Sequence, residues 1–421
     1  MKFIFVHHQP HGPFTLEALW NGTHGFAGSV AHLRILFWLA SRGNEVYLIG
    51  NVHNGVLGGV RAIAGLEHVH TLCQGCSPAA PSVVVLNHFP DRALWRVIRQ
   101  NPPCPIVVWA NNPFDTRWLK ELQKGNIARI VCLSHYDRER YRIYPGFQAV
   151  EMTYSGVDLD LMEKAPARTN GHNVVLFCPV PRRTKGVHNL LRAWPFVRKG
   201  CPDARLRICG SARMHDPHAP LGPAGVLDRD VEEEFSELLG TPERRQRWGI
   251  SLLGTLSLPQ IYSEMKGATV AVVNCNWRGS FDTFSRAAVE AQSAGAPVVG
   301  AKRGALPEVV ADGRTGLLVN RADPKALAEA IITLLRNKPL RDTMAAAAPS
   351  WARPFADYNL LAADWEAIAR RAWTGENAPS PRRRFDDFLR SIGYGSLRRT
   401  ARNLIRGTSL ERLVLRFYSG R

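Results

Sequence analysis

Residues 274–310 read NCNWRGSFDTFSRAAVEAQSAGAPVVGAKRGALPEVV. The apolar run TVAVVN (269–274) leads into this stretch and reads as a strand covered on both faces, because polar residues do not alternate with the apolar ones. A loop with Gly279 and Ser280 follows. A helix is predicted to start near Asp282–Phe284 and to stop at Gly295, where glycine accepts the left-handed backbone that ends helices. A second apolar strand, APVVGA (296–301), comes at once. Strand, helix and strand in this order make one unit of a parallel sheet. A helix starting at the carboxyl edge of such a sheet points its free N–H groups into the crevice, which makes an anion site. On a helix beginning at Asp282, Glu290 would lie about 12 Å away, with one acid at the helix mouth and the other two turns inside. That spread suits holding two parts of one long ligand and does not suit an acid–base pair acting on one bond.

The same rhythm runs through the chain in both directions. FIFV (3–6), EVYLIG (45–50), SVVVLN (82–87), IVVWA (106–110) and ARIVCLS (128–134) are strand candidates in the first half. NVVLFC (173–178), ARLRICG (204–210) and ISLLG (250–254) join the two strands above in the second. Helical stretches lie between, among them 29–43 and 324–337. Alternation of this kind predicts an α/β fold of two doubly wound, Rossmann-like domains facing across a cleft. The 421 residues are ample for two cores. The polar stretch EKAPARTNGH (163–172) marks the boundary, giving domains 1–165 and 166–353. Residues 354–375, rich in Trp and Ala, are expected to be a helix packing back across the junction, and 376–421 a linker and a tail.

Composition narrows the partners. The net charge is +18, yet residues 1–165 carry 15 Lys/Arg against 12 Asp/Glu, whereas 382–421 carry 11 against 3. The excess therefore belongs partly to an appended surface. In that tail Leu397, Ala401, Leu404 and Ile405, then Leu410, Leu413, Val414 and Phe417, fall at helical spacing with arginines between them. This is the pattern of a basic amphipathic helix resting on an anionic membrane face, or of a solvated helix on the protein's own surface. No recognition module for nucleic acid accompanies the charge, so nucleic acid is not an expected partner. No stretch nears the roughly 18 apolar residues of a membrane span, and MKFIFVHHQP reads as a strand and not as a signal peptide. A cytoplasmic protein, peripheral on the inner membrane face through its tail, is expected. The eight cysteines sit mostly in apolar runs, as buried thiols do. Cys73 and Cys76 form a C-x-x-C with no second pair, which reads as a loop and not as a zinc site. No metal site is expected.

The stretch 274–310 resembles the signature of the retaining group-1 glycosyltransferases, family 4-type enzymes of the two-domain GT-B architecture. Asp282, seven residues, Glu290-Ala291 and then Gly295-Ala296-Pro297-Val298-Val299 follow that signature, as do Gly304-Ala305-Leu306-Pro307-Glu308 and DGRTGLLV (312–319). Asp282 stands where the family has Glu, and is shorter by one methylene. The resemblance implies that Glu290 binds the ribose hydroxyls of a nucleotide-diphosphate sugar and that Asp282, Thr283, Phe284 and Ser285 line the donor. PVPRRTKG (179–186) opens from a strand onto a helix. Its cations make a diphosphate clamp, with Lys185, Arg182 and Arg183 as candidates. Lys185-Gly186 matches the family, whose Arg position falls on Val180. The Gly-rich GTHGFAGS (22–29) lets backbone N–H groups approach a phosphate and resembles the family's first loop, with Gly25 and Gly28 as donor contacts. Asn111 follows the strand where the family often has His. With His88, it is a candidate on the acceptor side.

The resemblance implies transfer with retention, from a nucleotide sugar to a glycan or lipid-linked acceptor in surface polysaccharide or glycolipid synthesis. No cofactor is expected, since fixed cations take a metal's place. The first domain would hold the acceptor and the second the donor. The alternatives are a catalytically degenerate protein of this fold that binds nucleotide or glycan without turnover, and a nucleic-acid binder driven by charge.

Overall fold

The structure is a computed structural model and describes residues 1–8, 12–23, 31–87, 92–168, 173–214, 216, 218–278 and 281–376. Gly25, Gly28, His88 and the basic tail 382–421 lie outside the described residues.

Two sheets form two lobes. The first contains β1 (Lys2–His7), β2 (Glu45–Gly50), β3 (Gly55–Leu57), β4 (Val60–Ala64), β5 (Ser82–Asn87), β6 (Ile106–Trp109), β7 (Arg129–Cys132) and β8 (Val150–Met152). Their order is β3-β4-β2-β1-β5-β6-β7-β8, parallel except for the β3–β4 hairpin. The second contains β9 (Val174–Phe177), β10 (Arg205–Cys209), β11 (Ile250–Gly254), β12 (Val270–Val272), β13 (Val298–Ala301) and β14 (Gly316–Val319). Its order is β11-β10-β9-β12-β13-β14, all parallel. The central strands are buried along their whole length, as continuous apolar runs require when helices cover both faces.

Topology fixes where a ligand can sit. From β9 the chain moves to β10 and β11 on one side and later to β12 on the other, so β9 and β12 are neighbours whose following loops diverge. Such a switch point opens a crevice at the carboxyl ends of the two strands. The loop after β9 carries Lys185, and the loop after β12 carries Asp282. The corresponding point of the first sheet lies between β1 and β5.

The C-terminal helix joins the lobes. Helix Tyr358–Thr374 is capped by Asp357, whose side chain accepts from the Asn359 N–H. It buries Tyr358, Leu361, Ala362, Trp365, Ile368, Ala369 and Ala372, a stripe at helical spacing. Trp365 meets the rings of Phe5 at 5.8 Å and Trp109 at 5.0 Å in the first lobe. Arg371 pairs with Glu151, and Glu366 accepts from Arg42 and Asn44. Removing a buried aromatic of this kind costs about 3–5 kcal/mol, so this helix is part of the first lobe's core. No helix among the described residues is long and apolar enough to cross a membrane.

Candidate functional site

The site starts from a tight approach of two loops. Gly186 adopts φ 86°, and a Cβ there would stand 2.5 Å from the carbonyl carbon of Cys275. Only glycine lets the Lys185 turn lie this close to the loop after β12. Hydrogen bonds lock the contact: Cys275 N–H donates to Lys185 O at 3.2 Å, Asn189 Nδ2 to Cys275 O at 2.9 Å, and Asn276 Nδ2 to Thr184 O at 3.2 Å.

This approach brings Lys185 Nζ to 2.5 Å from Asp282 Oδ1. Asn274 Nδ2 donates to the same oxygen at 3.0 Å, and the Ala305 N–H donates to Asp282 O, also at 3.0 Å. Gly304, at φ 64°, lets the second turn close on Asp282, since a Cβ there would meet Asp282 O at 2.7 Å. Asp282 is buried while Lys185 keeps about a third of its side chain exposed (35%). The ammonium is thus anchored on one side and open to the crevice on the other.

The helix after this loop runs Arg286–Ser293 and not from Asp282–Phe284. Ser285, at φ −91° and ψ 85°, is the non-helical residue before it. The reason is tertiary: the bonds to Lys185, Asn274 and Ala305 hold Asp282 in the loop, where it cannot join a helical turn. The two acids therefore occupy a loop and a helix. Glu290 is buried, and its Oε1 accepts from Arg286 Nε at 2.8 Å, one turn back. Burial pushes the Glu290 carboxyl above its usual range, and Arg286 pulls it back down. Burial also pulls the Arg286 guanidinium down, but Tyr358, Glu290 and Tyr262 outweigh it, so its pKa is raised.

Arg182 and Arg183 are engaged by other carboxylates. Arg182 Nε pairs with Asp228 Oδ2 at 3.3 Å, and Arg183 pairs with Asp230 and with Glu234. Both guanidiniums are held by the lobe's own carboxylates along 228–234. Lys185 is the cation of this turn that the structure sets against Asp282.

The first lobe supplies the opposite wall. Thr283 Oγ1 donates to Asn111 O at 3.3 Å, and Ser134 Oγ donates to Thr283 O at 2.5 Å. Phe284 packs on Tyr154 with centroids 5.8 Å apart. Thr283 and Phe284 thus join the lobes beside the Lys185–Asp282 pair, and Ser285 is buried behind them. Glu308 makes a further clasp. Its Oε1 accepts from the His135 N–H at 3.0 Å and from Tyr154 OH at 2.9 Å, and its Oε2 accepts from the Tyr136 N–H at 3.0 Å. Glu308→Ala leaves these donors without their acceptor; a hydrogen bond to a charged group contributes about 1.5–3 kcal/mol, and less here, where two of the three are exposed to water. The expected result is a loss of about 1–3 kcal/mol in urea unfolding, with Glu308→Gln in between. Unchanged unfolding of both variants would deny the clasp.

Sequence reasoning missed Asn274, Arg286 and Glu308 as site residues. Arg286 carried a visible signal, an arginine four residues before an acid on a helix. The partners of Asn274 and Glu308 depend on packing and left no local trace. Cys73 and Cys76 are free thiols, and no group of three His, Cys, Asp or Glu among the described residues could hold a metal ion.

Known proteins share both the second lobe and the fold. The family model of glycosyl transferases group 1 matches residues 160–351. A GDP-mannose-dependent alpha-(1-6)-phosphatidylinositol monomannoside mannosyltransferase of Mycolicibacterium smegmatis is 28% identical over 309 residues, covering 70% of this chain and 74% of the relative. A D-inositol 3-phosphate glycosyltransferase of Corynebacterium glutamicum is 29% identical over 259 residues, covering 58% of this chain and 55% of the relative, about half its length. Among solved structures, sucrose-phosphate synthase from Thermosynechococcus elongatus superposes with a TM-score of 0.64 at 16% identity, over 89% of this chain and 100% of that one. Anabaena HepE in complex with UDP-glucose gives 0.61 at 15%, over 87% and 99%. At such identities the likeness concerns the fold, which is the two-lobed GT-B arrangement.

Proposed function

Because the family model of glycosyl transferases group 1 matches residues 160–351, we propose that this chain is a member of that family and transfers a sugar, with retention of configuration, from a nucleotide-diphosphate donor in the second lobe to an acceptor hydroxyl held by the first. The observation that carries this reading is the Lys185–Asp282 pair at the switch point of the second sheet, with Glu290 on the helix behind it. The first lobe's Asn111 and Ser134 close the other side.

In this reading Glu290 takes the ribose hydroxyls, and Lys185 faces the diphosphate. Asp282, oriented by Asn274, meets the donor sugar. As the bond to the diphosphate breaks, negative charge grows on the leaving phosphate, and Lys185 and the N–H groups at the start of helix Arg286–Ser293 stabilise it. The acceptor hydroxyl attacks from the side the phosphate leaves, and the phosphate takes its proton. No metal is required, since the fixed ammonium does this work. The lobes exclude water, and catalysis is mainly positioning and electrostatics. The relatives named for GDP-mannose and inositol phosphates, and the neighbour solved with UDP-glucose, support GDP- and UDP-sugars as first candidates, with a glycan or lipid-linked polyol as acceptor in polysaccharide or glycolipid synthesis.

A panel of GDP-, UDP- and ADP-sugars tests this by melting temperature and by product formation. One donor class should raise the melting temperature and support transfer in the presence of EDTA, with the donor's anomeric configuration kept in the product. Nucleotide binding with no turnover on any acceptor would instead favour a binding protein.

A further inference from the structure

Glu290 presents two oxygens, and the structure treats them differently. Oε1 is taken by Arg286 Nε at 2.8 Å, and no hydrogen bond reaches Oε2 from the described residues. Arg286 is itself braced at two points. One terminal nitrogen stands 3.5 Å from Ser155 Oγ in the first lobe, and the other 3.4 Å from the Tyr358 hydroxyl on the crossing helix. On an exposed helix an i,i+4 pair contributes only a few tenths of a kcal/mol. In this one Glu290 is buried and Arg286 mostly so, with side-chain exposures of 9% and 17%, so each charge depends on the other.

We propose that Arg286 is the positioning residue of the donor site: held from the first lobe and the crossing helix, it fixes the Glu290 carboxylate by Oε1 and leaves Oε2 for a vicinal diol, the ribose of a nucleoside diphosphate. The proposal rests on the reading of Glu290 as the ribose ligand. Arginine suits the task because its rigid planar fork binds several partners at once and never loses its charge.

The groups facing Glu290 explain why it needs such a partner. Arg286 lies on its own helix. Tyr262, from helix Leu258–Lys266, and Cys178, just after β9, both feel the Glu290 charge. The Tyr262 hydroxyl is buried without a hydrogen-bond partner. Tyr358 reaches the pair through Arg286, with the buried Arg34–Asp158 ion pair beyond it. Among these, Arg286 favours the ionised carboxyl, while burial favours the protonated one. A protonated Glu290 is a poorer acceptor for two hydroxyls. Donor binding should therefore weaken as pH falls through the Glu290 pKa, and that midpoint should move up when Arg286 is lost.

The test uses the full chain with GDP and UDP as probes, each beside its 2′-deoxy form, titrated from pH 5 to 9. Wild type should prefer ribose to deoxyribose. Arg286→Met should weaken ribonucleotide binding about tenfold or more at pH 8, erase most of the ribose preference, and lose binding at higher pH than wild type. Arg286→Lys, which keeps the charge without the fork, should hold the wild-type pH midpoint with a reduced ribose preference, and it serves if the methionine variant folds poorly. If Arg286→Met, or Arg286→Lys in its place, keeps both the pH profile and the ribose preference of wild type, Arg286 is no more than a packing residue and the proposal falls. If instead Glu290→Gln binds ribo- and deoxyribonucleotides as wild type does, the ribose reading of Glu290 has failed, which is a separate result.

Discussion

Lys185→Ala is expected to lower the turnover rate at saturating donor by about 10²–10³-fold, the range seen when one fixed electrostatic donor is removed from a developing negative charge. Three features single out this residue. It follows β9 at the switch point of the second sheet. Its ammonium is fixed by Asp282 at 2.5 Å, so little reorganisation is needed when charge appears. About a third of its side chain remains open to the crevice. Arg182 and Arg183 are occupied by Asp228, Asp230 and Glu234 and should not substitute. Lys185→Arg should recover little, because a longer planar fork does not fit a contact already this short. Steady-state kinetics should show a larger fall in kcat than rise in KM, since the phosphate's charge grows toward the transition state. A kcat within tenfold of wild type would remove Lys185 from the chemistry. Asp282 and Lys185 share one contact, so the double variant should lose less than the product of the single losses.

Glu290→Ala is expected to abolish measurable donor binding and to destabilise the fold by about 3–5 kcal/mol, because it leaves the buried Arg286 guanidinium without its carboxylate. Glu290→Gln keeps a neutral acceptor for Arg286 and should cost less in urea unfolding while still weakening the donor. The two variants separate the structural role of the pair from its ligand role. If Glu290→Ala unfolds at the same urea concentration as wild type, the guanidinium is not dependent on Glu290 for its charge balance.

Much of this arrangement was legible in the chain. APVVGA and NVVLFC read as buried parallel strands because apolar runs without alternation have few other uses, and they are β13 and β9. The Asp282 and Glu290 spacing and the Lys185 turn could be read because each sits at a strand end opening on a helix. Shorter pieces escaped. The three-residue strands Gly55–Leu57 and Val150–Met152 are too brief for a periodicity to show, and Val60–Ala64, with Arg61 between its apolar residues, lacks the continuous apolar run that marked β9 and β13. They raise the first sheet to eight strands, where about five were expected. The helix starts two to four residues later than expected because bonds from Lys185 and Asn274, and not local propensity, hold Asp282 in the loop. The partners of Arg182 and Arg183 were invisible for a related reason: Asp228, Asp230 and Glu234 lie 46 to 51 residues further on. The interlobe clasp of Glu308 spans about 170 residues and leaves no trace in local spacing.

One nucleoside diphosphate is expected to lie between the lobes with its phosphates on Lys185 and its ribose on Glu290. A crystal structure with the nucleotide that most raises the melting temperature tests it most directly. A diphosphate oxygen is expected within hydrogen-bond reach of Lys185 Nζ, and a ribose hydroxyl on Glu290 Oε2. A nucleotide seated away from both residues, or with its phosphates on Arg182 and Arg183 instead, would contradict it.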